Sequence, residues 1–239
     1  MYKLGGILGI VYVFIILIWI AISAVYQGVL YPNEALTVNE GLIYYSDHQW
    51  YFGMDHGSKA IAFLLVSILP LILFCMFNRS YHGKKLFLNL LGMIFGFSYF
   101  MINAVSLIVQ AVTATFAINQ YSMYLGDREF ARLLFEWAIN DGGFSISLYI
   151  IANLCMVIWL FAHGYLFYLE MNNKYFFAFS SILAAALLIG AVINFIGIIL
   201  FQVSVNTLSE MVNILFIFWI SYVSYLLFNL HKEATVVKW

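Results

Sequence analysis

ILGIVYVFIILIWIAISA, residues 7–24, runs for eighteen positions without a charged residue, an amide or a proline. A helix needs about 20 mainly apolar residues to cross a hydrocarbon core of roughly 30 Å. With the residues flanking it, this run meets that length. A signal-peptide core is only about 7–15 residues long, so the segment is read as a retained first span. Gly5 and Gly9 stand four apart at its start, on one helix face, where small residues let two helices approach closely.

The rest of the chain repeats the pattern. Of 239 residues, 65% are hydrophobic and 9% charged, against about 25% charged in a soluble domain. Reading apolar runs between polar breaks gives six spans, at about 5–30, 58–78, 86–118, 142–168, 175–202 and 208–230. The expectation is an all-α polytopic membrane protein, residues 1–239 forming one six-helix domain. Pro70 removes a helical hydrogen bond from the second span and predicts a kink there.

Alternating the sides of the spans places Lys3, Arg79, Lys84, Lys85, Lys174, Lys232 and Lys238 on one face, against Lys59, Arg128 and Arg132 on the other. An excess of Lys and Arg marks the cytoplasmic side, so both termini are expected to be cytoplasmic in a multi-pass protein of the cell membrane. Nine of the eleven acids then fall outside. A net charge of −1 with no basic run excludes a nucleic-acid partner on electrostatic grounds. Membrane lipid is the expected partner, together with a second copy or another membrane protein at the Gly5/Gly9, Gly92/Gly96 and Ala186/Gly190 seams.

Two external connections stand out. Residues 31–57 are rich in aromatics (Tyr44, Tyr45, Trp50, Tyr51, Phe52), which suits the headgroup layer or a lid. At about 127–139, Phe130, Leu133, Leu134 and Trp137 recur at helical spacing opposite Arg128, Glu129, Arg132 and Glu136. That pattern predicts a short amphipathic helix lying in the interface.

Polar side chains inside spans are costly and mark sites. Tyr99, Asn103, Ser106, Gln110 and Thr113 follow at intervals of four, three, four and three, one polar stripe on the third span. Asn153 lies mid-span in the fourth, and Asn194 lies in the fifth. Asp55 and His56 sit where the second span begins, with Ser58 a plausible N-cap, and Asp141 where the fourth begins. If these faces converge, Asp55, His56, Asn103, Gln110, Asp141 and Asn153 make an outward-facing polar pocket for a small polar or cationic solute or ion. The bland alternative for the stripe is interhelical hydrogen bonding. His163, in LFAHGYLFY, suits either a proton relay or a bond to a neighbouring helix.

Other chemistry has little support. HExxH, a Walker loop and GxSxG are all absent, so no catalytic residue is assigned. Cys75 and Cys155 lie in apolar segments and suggest no disulfide or zinc knuckle. His48, Asp55 and His56 match no standard metal spacing, and His82, His163 and His231 are the only set at a depth that suits bis-histidine haem. No metal or cofactor is expected. A histidine-dependent metal or haem protein remains an alternative, as does a non-catalytic interaction subunit that uses the aromatic connection 31–57.

The opening YKLGGILGIVYVF, the AHGYLFY near the end of the fourth span and ILAAALLIGAVINF in the fifth resemble an uncharacterised family of bacterial six-helix membrane proteins. The resemblance implies a bacterial plasma-membrane location and no particular activity. NNKYFFAF departs from it by lacking a proline between the fourth and fifth spans.

Overall fold

The computed structural model describes residues 1–30, 38–47, 49–78, 83–123, 127–138, 143–201 and 207–236, and these residues are almost entirely helical. In chain order the helices are α1 (Tyr2–Leu30), α2 (Val38–Asp47), α3 (Gln49–Val66), α4 (Leu69–Phe77), α5 (Lys84–Ser122), α6 (Arg128–Ala138), α7 (Gly143–Met171), α8 (Lys174–Ile196), continued by a π-helical turn over Gly197–Phe201, and α9 (Thr207–Val236). Among the described residues there are six helical stretches long and apolar enough to cross a membrane, the first within α1 and the second running through α3 and α4. The chain is thus an all-α, multi-pass membrane protein. Its surface agrees: Phe14, Val112, Ile182, Leu200 and Phe218 are all exposed, a cost in water that vanishes against lipid tails.

The second span is where the expected boundaries fail. The helix begins at Gln49 rather than 58, so Asp55 and His56 lie inside it and Ser58 cannot cap it. The Ser58 hydroxyl instead donates back to the carbonyl of Met54, at 2.6 Å. The Pro70 kink is a full break: Ser67 and Ile68 form a turn, and Pro70 sits in the first turn of α4, where a missing N–H costs nothing. Ser67 Oγ takes up the slack by donating to Leu64 O at 2.7 Å. The connection 31–57 is also largely helical, carrying α2 and the start of α3. Residues 31–37 and His48 lie outside the described set, as do the side chains of Tyr45 and Phe52.

Between α7 and α8 two asparagines do what a proline was expected to do. Asn172 adopts a left-handed φ of 51°, which stops α7. Asn173 caps α8 by accepting from Phe176 N at 3.1 Å, and its amide nitrogen donates to the Tyr222 hydroxyl of α9 at 2.6 Å. Asn173→Ala is expected to lower stability by about 1 kcal/mol through the lost cap, read as a reduced melting temperature in detergent micelles.

The described residues divide into two compact units. Unit 1 comprises Met1–Val13, Leu64–Ile102 and Ile150–Trp239; unit 2 comprises Phe14–Phe63 and Asn103–Tyr149. The core of unit 1 is aromatic. Trp159 of α7 meets Phe100 and Trp219 with ring centroids 5.0 Å away, and Phe216 at 5.5 Å. Glycines set how closely these helices approach. A methyl added at Gly92 would lie 2.7 Å from the His163 ring, and one at Gly96 would lie 2.7 Å from Trp159, so α5 lies directly on α7. Gly5 likewise faces Ile72 and Leu227, and Gly9 faces Ser224. The Gly5/Gly9 and Gly92/Gly96 seams therefore serve packing within the chain.

In unit 2, Leu42 of α2 is fully buried with Ala114, Ala117 and Ile118 of α5 and Phe135 of α6. Asp127 caps α6, its carboxylate accepting from Phe130 N at 2.9 Å. The expected amphipathic helix is present over Arg128–Ala138 and has three faces, not two. Ala131, Phe135 and Ala138 pack inward, Phe130, Leu133 and Trp137 are exposed, and the polar residues complete the circle.

Candidate functional site

Asp55 is mostly buried and already neutralised by its own helix. Lys59, one turn later, places Nζ 2.6 Å from Asp55 Oδ1. The contact is an ion pair rather than a well-directed hydrogen bond, since Oδ1 is otherwise without a hydrogen-bond partner. His56 Nδ1 stands 3.3 Å from Oδ2. The acid thus carries no spare charge for a cation. Lys59→Met would strand a carboxylate whose side chain is 10% exposed, and about 1–3 kcal/mol of destabilisation is expected. Asp55→Asn should cost less, because Lys59, only partly buried, can turn its ammonium to water. Paired melting curves of the two variants test that order.

The polar stripe of α5 is divided between the units. Tyr99 belongs to unit 1 and is buried among rings, with Phe100 at 5.1 Å and Phe216 at 5.7 Å. In unit 2, Gln110 Nε2 donates to Ser145 Oγ of α7 at 3.0 Å and lies 3.4 Å from Ser106 Oγ. For Gln110 the stripe is interhelical bonding. Asn103 is half-buried and likewise not free. Asp141 lies outside the described residues. Asn153 belongs to unit 1, is 1% exposed, and its amide nitrogen has no partner among the described residues.

Both arginines of α6 are occupied as well. Arg132 grips Glu129 with two nitrogens, at 2.7 and 3.2 Å, and Arg128 lies over the Tyr121 ring at 5.5 Å. The hydrogen bond from Arg132, then its charge, holds the Glu129 carboxyl below the usual range. The pair therefore contributes above the ordinary glutamate pKa and is lost only as the pH falls through the lowered value.

Unit 1 holds polar groups that are not occupied. His163 is fully buried, and neither ring nitrogen has a hydrogen-bond partner among the described residues. It neither bonds a neighbouring helix nor reaches toward solvent. Its ring packs against Phe77 of α4 at 6.1 Å and Trp159 at 6.3 Å. The same three helices hold Asn89, which the sequence reading passed over. Asn89 is fully buried, and its amide nitrogen donates to Phe74 O of α4 at 2.9 Å, while its carbonyl oxygen has no partner. Phe74 is one turn before Phe77, and Asn89 precedes Gly92, the glycine that faces His163, by three residues. Asn89 and Gly92 therefore share a face of α5, with Asn89 bonded to α4 and Gly92 against α7. The available signal was an amide in a span three positions before a seam glycine.

The contrast with Trp219 shows that the fold does satisfy buried donors elsewhere. Trp219 Nε1 donates to Ser180 Oγ at 2.8 Å, and that hydroxyl donates to Phe176 O at 2.8 Å. Trp159 Nε1 has no such partner and lies against Gly96. Leaving a buried polar group unpaired costs about 1–3 kcal/mol, so the set Asn89, Asn153 and His163 is a standing expense unless something pairs with it. Among the described residues no three His, Cys, Asp or Glu side chains gather in a way that would hold a metal ion.

Comparison with protein-family models, with curated proteins and with solved structures gave no match to this chain.

Proposed function

We propose that the protein binds a small polar solute inside unit 1 and carries it across the membrane, with His163, Asn89 and Asn153 supplying the polar contacts. The observation that supports this reading is a fully buried imidazole with neither nitrogen bonded to protein among the described residues. In a membrane bundle such a residue is a site by default, and a ligand with complementary groups offsets its desolvation. The pocket expected from the sequence, opened by Asp55 and His56, is accordingly relocated: Asp55 is paired with Lys59, whereas the His163 nitrogens, the Asn153 amide nitrogen and the Asn89 carbonyl oxygen have no partner among the described residues. The reading includes a bacterial plasma-membrane location, with the lysine-rich face cytoplasmic.

His163→Phe tests it, because a phenyl ring keeps the packing against Phe77 and Trp159 while removing both nitrogens. In proteoliposomes, small polar solutes should enter faster than into protein-free vesicles, and the variant should lose that excess by at least tenfold. Unchanged flux in a more stable His163→Phe protein would mean that the imidazole is only a packing group, and the proposal would fall.

A further inference from the structure

Helix α6 carries two apolar rows, and the described part of the protein covers one of them. Ala131, Phe135 and Ala138 are buried, with Phe135 packed beside Leu42 of α2 and Ala114, Ala117 and Ile118 of α5. Phe130, Leu133 and Trp137 stand 49, 52 and 50% exposed. At 3.6 residues per turn, these two rows and the charged row of Arg128, Glu129, Arg132 and Glu136 are set roughly 120° apart. The buried row fixes the roll of the helix, so the second apolar row is held at a set angle, away from both the protein and the charges.

The level of α6 follows from α5. Exposed apolar side chains run along α5 from Phe87 through Ile94, Val105 and Val112 to Phe116. At 1.5 Å per residue this stripe is about 44 Å long. The hydrocarbon core is about 30 Å thick, and about 40–45 Å with both headgroup layers. Ala114, Ala117 and Ile118, which hold Phe135, lie at the far end of that stripe from Lys84 and Lys85. Helix α6 therefore sits at the headgroup layer remote from those lysines, where the lipid-facing stripe of α5 ends. Trp137 also lies 4.9 Å from Phe144, in the first turn of α7, and such aromatic groups favour that layer.

Charge gives this helix no other preference. It contains two arginines and two glutamates, of which Arg132 holds Glu129 and Arg128 lies over the Tyr121 ring. Neither a basic cluster for anionic headgroups nor an acidic one for a basic partner is present on it.

We propose that Phe130, Leu133 and Trp137 form a lipid-docking face, sunk between the headgroups of the leaflet remote from Lys84, and that its partner is phospholipid whatever the headgroup charge. The proposal is independent of the transport reading. Because Asp127 caps the helix and Phe135 braces it from behind, the face meets lipid already formed.

The test uses the full chain in a Cys75→Ala background, Cys155 being buried, with a nitroxide attached at Phe130→Cys, Leu133→Cys or Glu136→Cys. Nanodiscs are made of phosphatidylcholine alone or mixed with phosphatidylglycerol. The ratio of collisions with oxygen to collisions with a water-soluble nickel chelate should be several-fold higher at positions 130 and 133 than at 136, equally in both lipids. Equal ratios at all three positions would put the row in water and overturn the proposal. Exclusion of both reagents at 130 and 133 would show protein there, a second copy included, and would overturn it too. A high ratio confined to the phosphatidylglycerol discs would overturn the indifference to charge. Should labelling disturb the helix, phospholipid brominated on its acyl chains still decides: it should quench a larger share of tryptophan emission in the unaltered protein than in Trp137→Tyr, and equal quenching would count against the docking face.

Discussion

Replacing Trp159 by alanine is expected to be among the most damaging single changes in unit 1, at about 2–4 kcal/mol. The indole is fully buried and meets Tyr99, Phe100, His163, Phe216 and Trp219 with centroids 5.0–6.3 Å away. Tryptophan-to-alanine changes in soluble cores cost about 3–5 kcal/mol, the sum of lost transfer energy and the cavity left behind. In a bilayer the transfer part shrinks, because separated helices are solvated by lipid rather than water. What remains is lost dispersion among rings packed edge to face and the void itself. Unfolding in mixed micelles, followed through the other tryptophans, should show the midpoint fall steeply for Trp159→Ala and much less for Trp159→Phe. A midpoint equal to that of the parent protein would mean that the ring cluster is not the core of unit 1.

Gly9→Ala is the second large effect, at about 1–3 kcal/mol of overpacking, and it carries its own control. The added carbon would overlap Ser224 Oγ of α9 while sitting 3.4 Å from both Ser224 Cβ and Ile220 Cγ2, which its neighbours can absorb. The clash is thus with one oxygen. Ser224 Oγ donates only to Ile220 O of its own helix, at 2.8 Å, so Ser224→Ala should be nearly neutral alone. Combined with Gly9→Ala it should restore most of the lost stability, giving a coupling on the order of 1–2 kcal/mol in a double-mutant cycle. Additive costs would show that α1 and α9 separate there rather than collide.

Much of the architecture was legible because the bilayer imposes a length on apolar runs, and length is visible in one dimension. All six spans are present, and the amphipathic segment near 127–139 is helical over Arg128–Ala138. Errors arose where helix continues through polar residues. Gln49–Ser58 has too little hydrophobicity to be read as helix, yet it extends α3. Helix α2, VNEGLIYYSD, escaped because Leu42 is the buried apolar side chain that anchors its described residues and no periodicity announces it.

The site was less legible, for a physical reason. A polar residue in a span announces only that a partner is needed; whether the protein supplies that partner depends on the facing helix. Gln110 finds Ser145 and Asp55 finds Lys59, so two of the strongest expectations turned out to be internally satisfied. His163 looked more ordinary and Asn89 drew no notice, yet the imidazole nitrogens and the Asn89 carbonyl oxygen have no partner among the described residues. Periodicity locates a face, whereas satisfaction belongs to a pair.

The two asparagines between α7 and α8 bear on how the chain is made. A link of two residues, one bent into the left-handed region and the other spent as a cap, leaves no length with which α7 might settle in the bilayer before α8 arrives. The spans within Gly143–Ile196 are thus expected to enter a bilayer together, as one helical hairpin.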